Sequence, residues 1–465
     1  MANMVNGTAY VPPSVIVNGQ ANIKGSTAYV NPATVALLVC QDAYPTGSVQ
    51  TSTIGTAITL PNTSIVSGTI TVTNLLSNQQ LSAGTDYTTS GNTVTIEASE
   101  FPNGGTFEIT YQYEDADYYQ PMSWYALANV ETYYGAGFNA DGSVNNSVSA
   151  AANYAFQNGA ENVIIQPFMQ AGATTGSSTA PSLETALNTL SERDDINLIV
   201  PIGCNSSQLQ TIANSIANCN MAGNYRRGIF GLDEVSSNST SGDTSTATAI
   251  TTADVSQLAG LMNSDQIMVI GNLYATSTLG AQLPPSMYAC AVAGLSESTP
   301  FYRTLTHKPV VGFALDRQYT QSQMNNLASD GITIICAING QNLIRQALCS
   351  YQKVLLDWDY GAVLQYLNQS VKKLFENYIG KPCTQSLLNS AQGAITLFLE
   401  NQVSANIILS YSDISVTYET GHPDTMLVSF QANWMASLNY VRINYGFNTV
   451  SGANTTAFTS TTTAQ

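Results

Sequence analysis

A chain of 465 residues exceeds what a single hydrophobic core usually supports, so several domains are expected. Charged side chains make up only 9% of it, and 13 basic residues against 30 acidic ones give a formal net charge of −17. With no basic run longer than Arg226-Arg227 or Lys372-Lys373, the composition argues against a nucleic-acid partner.

Polar positions are filled by Ser, Thr, Asn and Gln, and a neutral polar surface suits either many protein contacts or an extracellular life. The stretch Met1 to Gly7 has neither the basic region nor the apolar core of a signal peptide, and no apolar run approaches the ~18 residues of a membrane span. The expectation is a protein made and folded in the cytoplasm, without stable membrane insertion. Cysteines at 40, 204, 219, 290, 336, 349 and 383 form no Cys-x-x-Cys pair and read as buried free thiols.

Residues 1–24 form an extended lead carrying Pro12-Pro13 and the short apolar strand Val15-Ile16-Val17, which has nothing local to pack on. Val35 to Cys40 is a buried-strand run stopped by Tyr44-Pro45-Thr46-Gly47, giving a first core strand within 25–47. From 48 to 113 the chain turns to Thr, Ser, Val and Ile in short alternating runs (65–72, 93–96 and 107–113) with turns at Gly91-Asn92 and Gly104-Gly105, the pattern of an inserted antiparallel β domain.

Between 114 and 340 helical and strand patterns alternate, which implies an α/β domain with a parallel or mixed sheet covered by helices. Helices are predicted at 121–134, 148–156, 183–190, 207–217, 252–262, 285–295 and 321–329. Strands are predicted at 163–168, 196–202, 228–232, 266–270, 310–313 and 332–337. Two Ser/Thr-rich stretches, 171–180 and 236–248, read as loops.

In 341–437, two long helices are expected at about 343–378, with a break near Gly361, and at 385–400, separated by Gly380-Lys381-Pro382. Strands follow: Ile414, Val416 and Tyr418 alternate with polar residues, and Met426, Val428, Phe430, Ala432 and Trp434 do the same after a return at His422-Pro423-Asp424. Within 438–465, Val441, Ile443, Tyr445 and Phe447 alternate with Arg442, Asn444 and Gly446 before a Ser/Thr/Ala tail expected to be disordered. Such a terminal strand either completes its own sheet or is donated to the sheet edge of a neighbour.

The chemistry is sparse. Gly135-Ala136-Gly137-Phe138-Asn139-Ala140 matches a dinucleotide fingerprint as a string but follows a helix instead of a strand. His307 and His422 are the only histidines, and each reads as a surface or turn residue. Glu114, Asp115 and Asp117, and the run Asn139 to Asn145, lack a complete cation-binding loop, while Asp194-Asp195 and Asp357-x-Asp359 read as helix-end charges. No catalytic, cofactor or metal site is expected, and the α/β core reads as structural.

Several segments together resemble the tail sheath proteins of contractile-tailed bacteriophages. They are Tyr111 to Pro121 with Val130-Glu131-Thr132-Tyr133-Tyr134-Gly135, Ala150 to Ala160 ahead of Val163-Ile164-Ile165, and Pro284 to Leu295 followed by Pro300 to Phe313. The two long helices and closing strands agree in order. This chain departs from the family in lacking most of an Arg/Glu-rich run after Ala293-Gly294-Leu295.

The resemblance implies a structural subunit that polymerises as a six-fold helical tube around a tail tube and contracts. It implies terminal arms, here 10–24 and 438–447, that extend neighbouring subunits' sheets through Val15, Ile16, Val17, Val441, Ile443, Tyr445 and Phe447. Implied partners are copies of itself, the tail tube protein, and baseplate and tail terminator proteins, in a virion assembled in the host cytoplasm. Arg303, Lys308, Arg317, Lys372 and Lys373 are the candidate lattice charges. The competing expectations are a surface or adhesin-like protein, suggested by the Thr/Ser/Asn-rich β segment, and an enzyme on the α/β core.

Overall fold

The computed structural model describes residues 34–41, 44–115, 117–170, 180–233, 251–273, 275–277, 280–315, 319–351, 353–420 and 422–436, together with the strands Met4–Val5, Thr8–Ala9, Val441–Gly446 and Thr459–Ala464. Val15, Ile16, Val17, Arg317 and Phe447 lie outside these residues.

The main sheet is built from β1 (Val35–Gln41), β2 (Met122–Trp124), β3 (Val163–Met169), β4 (Leu198–Ile202), β5 (Arg227–Phe230), β6 (Ile267–Ile270), β7 (Ile332–Ile338) and β8 (Gln341–Gln346). Its order is β2-β3-β1-β4-β5-β6-β7-β8. The inner strands β3 to β7 and β1 run parallel, and β2 and β8 close the two ends antiparallel. The parallel strands are near-continuous apolar runs because both their faces are covered.

On one face lie α1 (Leu127–Tyr134), α2 (Ser147–Gln157) and, after β6, a helix at Ser286–Ser298. On the other lie α3 (Leu183–Ser191), α4 (Ser206–Met221), α5 (Thr252–Met262) and a helix at Gln321–Ser329. The two helices after α5 are α6 and α7. Polar N-caps start these helices: Asn146 accepts from the Val148 and Ser149 N–H groups, and Asn205, Thr251 and Thr320 form reciprocal capping boxes with Gln208, Asp254 and Gln323. Helix α6 is buried from Ser286 to Gly294, and its small residues let α2 approach until a Cβ at Gly294 would overlap the Ala155 carbonyl.

Between β1 and β2 the chain forms two small antiparallel sheets around a core of Leu60, Val72, Val94, Ile96, Phe107 and Ile109. Their hairpin Tyr87–Ser90/Thr93–Ile96 turns at Gly91-Asn92, where Gly91 has φ 59°. The strands that enter and leave this insertion, Thr46–Thr51 and Phe107–Gln112, are hydrogen-bonded neighbours. The chain then returns through an aromatic cluster in which Tyr118, Tyr133, Tyr134 and Trp124 meet largely edge-to-face, Tyr118 and Tyr134 at 4.9 Å between ring centroids. The Tyr-rich run singled out in the sequence thus packs the junction between the insertion and the main sheet.

After β8 come α8 (Trp358–Glu376) and α9 (Gln385–Ser404), then the long hairpin β9 (Ile408–Glu419) and β10 (His422–Trp434). One face of the hairpin packs on α8 and α9 through Val416, Val428, Phe430 and Ala432, while Leu409, Leu427 and Gln431 face outward. The alternation read from sequence holds at Ile414, Val416, Met426, Val428, Phe430 and Ala432, while Tyr418, expected on the packed face, is exposed.

Four expectations are corrected. The helix expected at about 343–378 starts only at Trp358 and runs through Gly361 without a break, and residues 341–346 form strand β8, because Asn339-Gly340, both at positive φ, make a two-residue turn that pairs Ile338 with Gln341. The helix expected from 121 begins at Leu127, since Met122–Trp124 is claimed by the edge of β3. The strand expected at 310–313 lies at Phe313–Leu315, in a separate three-stranded sheet with Ala275–Ser277 and Gln282–Leu283, because 307–310 is already hydrogen-bonded to the edge of β8. Finally, the tail is not wholly disordered: Thr459–Ala464 pairs antiparallel with Val441–Gly446, its Thr-rich run being well suited to a strand.

Candidate functional site

In a doubly wound sheet the default ligand site is the crevice at the carboxyl ends of the strands where the winding reverses, here between β1 and β4. That crevice is closed by its own polar groups. Gln170 Oε1 accepts from Cys40 Sγ at 2.9 Å and from Gln208 Nε2 at 2.8 Å. The Asp233 carboxylate receives the Gly203 N–H at 2.7 Å and the Ser286 N–H at 2.8 Å, tying β4 to the start of α6.

The other candidate chemistry is dispersed. The Gly135–Ala140 string forms a small loop between α1 and α2, where a Cβ at Gly137 would meet the Ala150 nitrogen at 2.7 Å, so the glycine serves packing on α2. Asp141 is held below the usual carboxylate range by hydrogen bonds from Ser143. His307 and His422 are exposed on separate elements. Among the described residues no group of three or more His, Cys, Asp or Glu side chains could hold a metal ion, and no helix is long and apolar enough to cross a membrane. Asp359, read from sequence as a helix-end charge, is 1% exposed.

The features left are edges and charges. The edge of β8 is covered, since the His307 N–H donates to the Ile344 carbonyl and the Val310 N–H to that of Asn342. By contrast β9 and β10 make a two-stranded sheet, and among the described residues no third strand pairs with either outer edge. Val441, Ile443 and Tyr445 sit in a terminal strand, opposite Ala464, Thr462 and Ser460.

Within the described residues Arg193–Asp195, at 2.7 Å, is the one ion pair. Arg303 and Lys373 are exposed, Lys308 is half-buried, and the Lys372 ammonium donates to the Gly223 carbonyl at 3.3 Å. Sequence reasoning missed Arg227, which stacks on Trp358 beneath a cleft; a basic pair opening an apolar strand was its one visible sign.

No protein-family profile matches the chain. Its fold does have counterparts. It superposes on the sheath of an extracellular contractile injection system (PVC) in the contracted state with a TM-score of 0.54 at 11% identity, covering 95% of this chain and 99% of that one. The fold is that of a contractile sheath subunit. A second sheath, the helical sheath of the anti-feeding prophage in the contracted state, gives 0.52 at 13% identity over 95% of this chain and 100% of that one. In sequence, the chain is 23% identical over 375 residues to the tail sheath protein of Mycobacterium phage Bxz1, covering 79% of this chain. The match spans 63% of that relative's own length.

Proposed function

We propose that this chain is a structural contractile tail sheath subunit, which polymerises as a six-fold helical tube around a tail tube and contracts to drive that tube through the host envelope. The observation that carries the reading is the agreement in fold with contracted sheath subunits over 95% of the chain and nearly the whole of theirs. The sequence similarity to a phage tail sheath protein supports it independently. Its partners are further copies of itself, the tail tube protein, and baseplate and tail terminator proteins, and its place is the virion, after assembly in the host cytoplasm.

The physics of such a role fits what the chain offers. Head-to-tail contacts that do not close generate a helical filament. A 12-residue β9 and a 13-residue β10 present open edges long enough to take added strands. The arms 10–24 and 438–447 are the donors. Strand Val441–Gly446, paired on one side with Thr459–Ala464, keeps a second edge for a neighbouring subunit. Strands shared in this way keep subunits tethered while their other contacts rearrange, so contraction is a passage between two packings of one lattice, with no catalytic step. An enzyme reading loses support from a switch-point crevice whose polar groups bond one another.

The test is electron microscopy of the full-length chain beside a version ending at Ser437. Tubes from the first and only monomers from the second support a strand-donating sheath. If both stay monomeric when supplied with tail tube and baseplate, the sheath reading fails.

A further inference from the structure

At the amino ends of β4 and β5, opposite the closed switch point, lies a cleft of about 70 Å3 between the segment that follows α6 and one face of α8. Its lining contains two guanidinium groups, Arg227 and Arg303, the amides of Asn197, Gln365 and Gln369, and the aromatic walls Phe301, Trp358 and Tyr366. No carboxylate lines it. Asp195 holds Arg193 and Glu297 receives the Asn162 N–H, while Asp265 and Asp359 act on Arg227 from outside the lining.

Arg227 is 5% exposed, with its Cζ 3.2 Å from the centre of the Trp358 ring. One Nη donates to the Trp358 carbonyl, and Nε has no hydrogen-bond partner. Desolvation by burial pulls its pKa down to about 10, with Cys349, Asp265 and Asp359 acting in the opposite direction. Where Arg227 lines the cleft, an incoming oxyanion would give the cation a charged acceptor. Arg303 stands exposed on the same lining, and among the described residues no ion pair engages it.

We propose that this cleft is a receptor for a carboxylate, supplied either by an acidic side chain of a second copy of the chain or by a free small carboxylate anion. The second-copy source rests on the self-assembly proposed above; the free-anion source does not. Thirty acidic side chains against thirteen basic ones make carboxylates the abundant complementary group on any neighbouring copy. The aromatic walls admit the apolar stem of such a side chain while Arg227 and Arg303 take its head.

Two measurements on the full-length chain separate the sources. Thermal unfolding of the unassembled protein is titrated with acetate against chloride at matched ionic strength, for wild type, Arg303→Ala and Arg303→Lys. In parallel, Trp358 emission is followed through assembly, with Trp124→Phe and Trp434→Phe removing the other indoles and electron microscopy recording whether assembly occurs. A saturable acetate response that weakens roughly tenfold or more in Arg303→Ala and is partly kept in Arg303→Lys identifies a free-anion site. No acetate response, with a Trp358 change on assembly and a matching assembly defect in Arg303→Ala, identifies a carboxylate of the second copy. An acetate response equal in all three proteins overturns the proposal, as does its absence together with wild-type assembly of Arg303→Ala. If no assembly forms at all, the sheath reading fails on its own, and the acetate arm then decides this one: no response overturns it.

Discussion

Glu297 is a single side chain with a measurable consequence. It sits near the end of α6 with Oε1 3.4 Å from the Asn162 nitrogen, Oε2 buried without a partner, and Glu161 nearby. Burial, with a smaller contribution from Glu161, pushes its pKa up to about 7. A raised folded-state pKa means the folded protein prefers the protonated form. The stability it contributes is therefore present below the ordinary carboxyl range and is lost as pH rises through about 7. Glu297→Gln should remove that slope, leaving the variant more stable than wild type above neutral pH by about 1–2 kcal/mol after allowance for partial exposure. Thermal unfolding at pH 5 and pH 8 checks this, and parallel pH dependence in the two proteins would refute it. A second residue-scale outcome concerns Gly294, where an added Cβ has no room against the Ala155 backbone. Gly294→Ala should cost about 1–3 kcal/mol or more through forced separation of α2 and α6, read as a lowered denaturation midpoint.

At the scale of elements, the hairpin β9–β10 offers a matched pair of substitutions. Val416 is 8% exposed against α9, whereas Leu427 on the opposite face is 51% exposed. Val416→Asp should destabilise by about 3 kcal/mol or more through an unpaired buried carboxylate, and Leu427→Asp should leave the unfolding midpoint within about 0.5 kcal/mol of wild type. Equal effects from the two would contradict the facing described here. That facing was legible because Met426, Val428, Phe430 and Ala432 keep strict period-2 spacing. The parallel strands were equally legible as short apolar runs between capped helices. What escaped was decided by pairing at a distance. Residues 341–346 carry no decisive period of their own, and the informative signal, Asn339-Gly340, lay just upstream. Met122–Trp124 is too short to announce itself and becomes a strand only because β3 offers an edge. The cleft was illegible for the same reason, since Arg227, Arg303 and Trp358 are far apart in sequence and meet only in the fold.

The whole molecule is divided by where its chain crosses. Thr46 and Gln112 face each other as strand partners, about 5 Å apart between Cα atoms, so the insertion between them is closed off by one pair of neighbours. Replacing 47–111 by a two-residue Gly linker should leave the main sheet folded, with helical circular dichroism retained and the unfolding midpoint within a few degrees of the full chain. Loss of the cooperative transition would show that the insertion is part of the main core. The same geometry sets how the molecule carries load. Force applied to the insertion reaches Thr46–Thr51 and Phe107–Gln112 from one end, across hydrogen bonds that lie perpendicular to the strands. Because Thr46 and Gln112 are both fixed side by side, the pull runs along the two strands in parallel and does not draw them apart from each other. The junction therefore behaves as a double tether, sharing the load between two paired strands rather than passing it through one.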